Sequence, residues 1–421
     1  MSKNAAPNKE KRLSTEPYKG VRDFYPEDQS FLNYFFETCR RFVERVGYVE
    51  YHASVLEPSE LYKAKGAENE EIIKDQTYTF IDRGGREVTL RPEMTPSVAR
   101  MVAARRRDLG FPLRLYSMPN VFRYERPQRG RLREHWQLNV DCFGSRALAA
   151  DAEIIGVAYG LMGAFGATER DFVIKIGDRA HFNDLVQKHS LSPEQSKKLF
   201  YILDRRAKAP EAEFKEGLMG LGIAQAELSP KEEPRDVAKI VEDFRNAGIN
   251  NIIYAPEVVR GFNYYTGIVF EVFDAHPDNN RSLFGGGRYD NLTELFDDEP
   301  LPGVGFGMGD VTVRDFLAVR NMLPEYRPPT HLYIAVTSAE LAPDAQSLAG
   351  ELRRQGVNAA IDFGEKKLGD QIKAAGKHKI PWLLVFGQDE IATGRFSVRD
   401  METGAEESLS RDELGAFFLN L

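Results

Sequence analysis

The stretch "VFRYERPQRGRLREHWQLNVDCFG" (residues 121–144) carries the pattern on which the reading of the whole chain turns. Its second half alternates with period two: Trp136, Leu138, Val140 and Cys142 fall on one side of an extended chain, and Gln137, Asn139 and Asp141 on the other. Such a strand offers one apolar face to a core and one face of hydrogen-bonding groups. The preceding run, "LRLYSMPNVFRYE" (113–125), reads as its partner strand, and the polar turn "RPQRGRLR" (126–133), with Gly130 near its centre, joins the two as an antiparallel hairpin. The same period sends Arg123 and Glu125 to a common side, so the hairpin presents Arg123, Glu125, Gln137 and Asp141 together. Five arginines crowd residues 122–137 of a chain whose formal net charge is −8. Arginine presents a rigid, permanently charged fork suited to phosphate, which makes a triphosphate the natural occupant of this face.

On either side of the hairpin the pattern changes. "SFLNYFFETCRRFVERV" (30–46) spaces Phe31, Phe35, Cys39, Phe42 and Val46 as an amphipathic helix stopped by Gly47. In "TLRPEMTPSVARMVAARRR" (89–107) a strand ends near Arg91, Thr95 caps a helix and Pro96 takes its first position, so Glu93 and Thr95 stand at a strand-to-helix junction. The charged, helical composition of about 173–253 reads as a module inserted between two strand-rich regions. Strands return in "RGFNYYTGIVFEVF" (260–273), "FGGGRYDNL" (284–292) and "PGVGFGMGDVTVRDFL" (302–317), the last running into a helix. "NMLPEYRPPT" (321–330), rich in proline, reads as a linker, and 331–421 alternate strand and helix as a small α/β domain of their own.

At 421 residues and 42% hydrophobic, the chain is a multidomain globular protein. No apolar run approaches the ~20 residues of a membrane span, and the polar amino terminus lacks a signal's apolar segment, so the expectation is a cytoplasmic protein without membrane partners. Cys39 and Cys142, the two cysteines, read as reduced core thiols. Net negative charge argues against DNA as a partner. The chain has no HExxH, GxSxG or P-loop motif, and no metal-ligand pattern. "GVGFGMGD" (303–310) lacks the βαβ unit and acidic partner of a dinucleotide fingerprint. Two features stay open on the residues alone: Tyr264 and Tyr265 as core or site, and Lys366, Lys367, Lys373, Lys377 and Lys379 as a solvated face or an RNA track.

Taken in order, "KGVRDFYPED", "TLRPEMT", "FRYERPQRGR", "RGFNYYTGIVFE" and "GGGRYDNL", followed by a closing strand-helix domain, resemble the class II aminoacyl-tRNA synthetases and, among them, the histidyl-tRNA synthetases. The resemblance implies an α+β multidomain fold: an antiparallel-sheet catalytic domain over 1–325 with the helical insertion, and a C-terminal α/β anticodon-binding domain over 331–421. It implies a homodimer that uses ATP, with Mg2+, to form histidyl-adenylate and then transfers histidine to the 3′ end of its tRNA. On this resemblance Glu93, Thr95 and Gln137 hold the amino group of histidine, while Asp141 and Tyr265, with Tyr264 beside them, grip the imidazole. Arg123 and Arg260 meet the α-phosphate as the catalytic pair, Glu125 and Arg131 position adenine and the outer phosphates, and Arg126 and Gln128 reach toward the tRNA acceptor end. Two positions depart from the pattern: Thr312 stands where the family's last motif has an ATP-contacting arginine, with Arg314 two residues on, and Asn263 replaces an acid in "NYYTG". A noncatalytic histidine-sensing paralogue, such as the regulatory subunit of ATP phosphoribosyltransferase, is the competing reading; such proteins generally lack the C-terminal domain.

Overall fold

The structure, a computed structural model, describes residues 13–64 and 76–419, apart from 127, 129, 205, 207–209, 229–231, 261–263, 278, 280, 298 and 364. Its chain separates into two compact units between Leu323 and Pro324.

In chain order the strands of the larger unit are β1 (Val49–Glu50), β2 (Leu56–Pro58), β3 (Tyr78–Ile81), β4 (Glu87–Leu90), β5 (Leu113–Ser117), β6 (Asn120–Phe122), β7 (Glu134–Phe143), β8 (Phe172–Asp178), β9 (Ile252–Tyr254), β10 (Ile268–Asp274), β11 (Ser282–Arg288) and β12 (Gly303–Gly309). Nine of them form one sheet in the order β1-β5-β7-β12-β11-β10-β8-β9, with β6 also on β7. The remaining three make a small sheet, β2-β4-β3. The large sheet is antiparallel through its centre, as the sequence predicts, but β1 runs parallel to β5 and β8 parallel to β9 at its two edges. A tight hairpin forces antiparallel pairing; each of these edge strands is joined to its neighbour by a long connection, which leaves either direction open.

The hairpin keeps a single register from Leu113↔Phe143 to Ser117↔Asn139 and on from Asn120↔Trp136 to Phe122↔Glu134. Its first arm is split because Pro119 has no N–H to give the ladder; its carbonyl still accepts from Gln137 N at 2.9 Å. The alternation holds. Leu138, Val140 and Cys142 lie in the main core with Phe31, Phe35, Cys39 and Val43 of the helix Pro26–Arg45 and with Ile154 and Leu161 of the helix Leu148–Ala164. Trp136 meets Phe36 edge-on at 5.2 Å. Burying each such side chain contributes roughly 1.5–3 kcal/mol, which fixes the opposite face of β7 toward the site.

Within 173–253, β8 and β9 belong to the large sheet, and the helix Arg235–Asn246 sets Val237, Ile240 and Val241 against the main core. A separate small core gathers Phe182, Leu185, Leu199, Phe200, Phe214 and Leu218 from the helices Ala180–Lys188, Pro193–Asp204 and Glu211–Met219.

The smaller unit is a five-stranded sheet in the order β14-β13-β15-β16-β17, of β13 (Leu332–Val336), β14 (Ala359–Ile361), β15 (Trp382–Phe386), β16 (Arg395–Asp400) and β17 (Glu406–Ser410). Its four pairings, in that order, are parallel, parallel, antiparallel and antiparallel. The helices Ala342–Arg354 and Arg411–Leu419 cover one face through Leu348, Leu352, Leu414 and Phe418. The helix Leu368–Lys377 covers the other through Ala375, and its buried Gln371 is bonded to both backbone groups of Val336.

Candidate active site

Strand β4 of the small sheet ends at Leu90 and delivers Glu93 to the start of the helix Thr95–Ala104. The junction is pinned by Arg91, which is 2% exposed and donates to Ala53 O at 2.7 Å and to Asn120 O at 2.9 Å. Arg123 then reaches across from the end of β6, donating Nε–H to Pro92 O at 2.9 Å. The expected cap at Thr95 is not made: the helix begins one residue earlier, with Met94 at the N-cap, and the Thr95 hydroxyl turns to Tyr264 instead. Tyr264 donates its hydroxyl to Glu93 Oε2 at 3.0 Å. Burial pushes the Glu93 carboxyl up to about 7, against the opposing pull of Arg123 and the Tyr264 hydrogen bond. Tyr265 packs against Tyr264 with ring centroids 4.9 Å apart, and the Arg260 guanidinium lies 5.9 Å from the Tyr265 ring. Arg123 and Arg260 therefore flank one buried cluster, Glu93–Tyr264–Tyr265.

Asp141, at the middle of β7 and 1% exposed, accepts from the Tyr289 hydroxyl through Oδ1. Burial raises its carboxyl to about 7, with the Tyr289 bond opposing. Gln137, on the same face, donates to Asn139 Oδ1 at 2.8 Å. These side chains have room because the neighbouring strand β12 offers no Cβ where they lie. A Cβ at Gly303 would sit 2.4 Å from the Tyr289 ring, one at Gly305 2.6 Å from Asp141 Oδ1, and one at Gly307 2.3 Å from Gln137 Nε2. The alternate glycines of "GVGFG" are the back wall of this cluster. Gly285 on β11 does the same for Arg260, whose Nη1 would lie 2.3 Å from a Cβ there. Arg260 itself has a left-handed backbone, φ 51°, and pairs with Glu271 Oε1 at 3.2 Å.

The arginines of residues 122–137 divide by position. Arg123 faces the cluster. Arg131 is half exposed and pairs with Glu125 at 3.4 Å across the loop, which closes where Gln128 and Arg131 exchange backbone hydrogen bonds of 3.1 and 2.9 Å around Gly130 at φ 76°. Arg126 and Gln128 are exposed. Arg133, by contrast, is buried at the loop's base, its guanidinium 4.0 Å from the Tyr124 ring and bonded to the Tyr18 hydroxyl at 3.0 Å. Arg129 lies outside the described residues.

A family model described as histidyl-tRNA synthetase matches residues 20–217 and 223–311, and one described as an anticodon binding domain matches 331–421. The chain belongs to the histidyl-tRNA synthetase family. It is 41% identical over 427 aligned residues to a histidine–tRNA ligase of Leptospira biflexa, covering 96% of this chain and 97% of that one. It is 33% identical to a histidine–tRNA ligase of Thermoplasma volcanium, covering 96% and 98%. A solved histidyl-tRNA synthetase from Nostoc sp. PCC 7120 shares the fold, with a TM-score of 0.77 at 24% identity over 97% of this chain and all of that one (100%).

Against the histidyl-tRNA synthetase pattern, Thr312 is no cation substitute: its hydroxyl donates to Leu283 O at 2.7 Å, and its methyl would stand 3.9 Å from a Cβ at Gly130. Arg314 turns to Asp28 at 3.0 Å, on a pair about half exposed. Asn263 lies outside the described residues. Three contributors escaped the reading of the sequence. Tyr289 closes on Asp141. Arg22 pairs with the fully buried Asp310 at 2.7 Å. His135 has its pKa pushed down to about 3 by burial and by Arg123, so it stands beside that arginine as a neutral ring. The period-two alternation of β7 puts His135 on the polar side with Gln137, Asn139 and Asp141, but nothing in the pattern gives it a role, and no spacing rule links Asp141 to a tyrosine at the end of another strand.

Proposed function

We propose that the cluster around Glu93 activates histidine with ATP and that the chain then transfers the histidyl group to the 3′ end of its tRNA. The observation that carries the reading is the buried Glu93–Tyr264 pair with Arg123 on one side and Arg260 on the other, in a chain of this family. Glu93, with Thr95 and Gln137, takes the substrate ammonium; Asp141 and Tyr265, with Tyr264, take the imidazole. Arg123 and Arg260 take the α-phosphate, and Glu125 and Arg131 take adenine and the outer phosphates. The substrate carboxylate is already ionised, so its attack on the α-phosphate needs no protein base. One oxygen–phosphorus bond forms, the bond to pyrophosphate breaks, and two fixed guanidinium groups stabilise the charge that grows between them. Arg126 and Gln128, both exposed on the loop, meet the tRNA acceptor end in the second step.

Among the described residues no group of three or more His, Cys, Asp or Glu side chains offers a metal cage; magnesium, which needs only one or two carboxylates beside phosphate oxygens, would enter with the nucleotide's own phosphates. The remaining parts of the reading are a catalytic domain over 1–325 with its helical insertion at about 173–253, a linker at 321–330, an anticodon-binding domain over 331–421, a homodimer, and work in the cytoplasm. No helix among the described residues is long and apolar enough to cross a membrane. The competing reading, a histidine-sensing paralogue without catalysis, is less supported: the curated ligases align over 96% of the chain, the C-terminal unit included.

The deciding experiment is pyrophosphate exchange into ATP with each amino acid in turn. Histidine alone should drive it; exchange with none would overturn the ligase reading and favour the sensor.

A further inference from the structure

Resting on the reading of Asp141 as an imidazole contact, we propose that Tyr289 is the positioning residue for that carboxylate, rotating it so that one oxygen is held by the protein and the other is left to the ring N–H of the substrate. Tyr289 donates its hydroxyl to Asp141 Oδ1, whereas Asp141 Oδ2 is buried and accepts no hydrogen bond from any described residue. Buried polar atoms nearly always find partners, and a buried carboxylate oxygen that no protein group engages suits an N–H donor.

The donor that sets the rotation is itself fixed. The Tyr289 ring meets Phe143 at 5.9 Å and 70°, and Tyr264 at 5.9 Å and 83°. Its backbone N–H donates to Gly303 O at 2.8 Å. The space for the pair is kept by Gly303 and Gly305, where a Cβ would lie 2.4 Å from the ring and 3.0 Å from the hydroxyl. Tyr264 in turn bonds Glu93 at 3.0 Å. Asp141, Tyr289, Tyr264 and Glu93 thus form one buried chain of contacts, joining the carboxylate for the ring to the carboxylate for the ammonium. A carboxylate free to rotate would spread its acceptor over two directions; one locked by a phenol offers a single direction, and a ring without an N–H leaves the buried oxygen unpaired.

The test is Tyr289→Phe in the full-length protein, which removes one oxygen from a packed ring. In histidine-dependent exchange, KM for histidine should rise roughly ten- to a hundredfold, the range of a hydrogen bond to a charged group, with kcat and KM for ATP within a few-fold of wild type. Discrimination against thiazolylalanine, whose ring has the shape of imidazole without an N–H, should fall in parallel. A second variant, Asp141→Asn, and the double variant complete a cycle: the two effects should overlap rather than multiply. Unchanged histidine KM in Tyr289→Phe, or independent effects in the cycle, would overturn the proposal. So would an equal loss in kcat and in ATP affinity, the mark of a general packing role. Calorimetric titration of histidine without ATP keeps the two readings apart: wild type that binds histidine but exchanges no pyrophosphate sinks the ligase reading alone, and Tyr289→Phe must still bind histidine more weakly. If Tyr289→Phe does not fold, Asp141→Asn alone must show the same loss of thiazolylalanine discrimination, and its retention overturns the proposal.

Discussion

Glu93 and Asp141 sit in the protein with carboxyls raised to about 7, both chiefly by burial. The sign has two consequences. A carboxyl raised on folding holds its proton longer in the native state than in the unfolded chain, so its contribution to stability is complete in acid and declines as pH rises toward 7. On the roles proposed for these residues, histidine binding runs the other way, because an ammonium needs the carboxylate. Affinity for histidine should climb with pH through about 7, where the carboxyls are half ionised, and level off roughly one unit above that; calorimetry on wild type and Glu93→Gln should show the acid limb steeper in the former. Arg260 argues a different kind of effect. A side chain held from a left-handed backbone at φ 51° is strained by roughly 1–2 kcal/mol relative to ordinary backbone, and that strain is tolerated where it aims a charge. Arg260→Ala should lower exchange by about 10²–10³-fold and leave histidine titration detectable; unchanged turnover would remove Arg260 from the chemistry.

Strand β12 shows how a single element serves the site from behind. Its glycines at 303, 305 and 307 face Tyr289, Asp141 and Gln137 in turn. The obstruction differs in kind. At Gly307 a Cβ meets the end of a movable Gln137 side chain, but at Gly286 on β11 it would lie 2.0 Å from the carbonyl oxygen of Gly305. Gly307→Ala should keep the melting temperature near wild type and weaken histidine binding, while Gly286→Ala should cost about 1–3 kcal/mol of stability or more, read from denaturant unfolding. The hairpin β5–β6–β7 was legible beforehand because period-two alternation is a local property, and the shared face of Arg123, Gln137 and Asp141 follows from it. The Pro119 break was visible in the letters but was read through. What stayed illegible is long-range: Tyr289 meets Asp141 from just past the end of β11, on the far side of β12, and the spacing of "GVGFG" says that something approaches the backbone without saying what. Ligand roles are expected from the sequence for Arg123, Arg126 and Arg131 and not for Arg133, and the aromatic cage around Arg133 is what marks that one as structural.

The two units have separate cores, one holding Leu138, Val140 and Ile154, the other Ile334, Leu348 and Phe418. Each should fold by itself. A protein ending at Leu323 is expected to retain histidine-dependent exchange near the full-length rate and to lose most charging of tRNA, measured as histidine incorporated into tRNA; loss of exchange on truncation would show that the smaller unit supports the first reaction. Within the larger unit, chain order has its own consequence. Strand β7 lies between β5, which precedes it closely, and β12, which follows only after the helical module and β8 to β11. On a ribosome the hairpin emerges first, and one edge of its longest strand stays without a neighbour until residues 303–309 leave the tunnel. The nascent chain therefore carries an open edge through the making of more than a third of its length, and a newborn molecule completes the sheet behind its site all at once, only after about three quarters of the chain has been made.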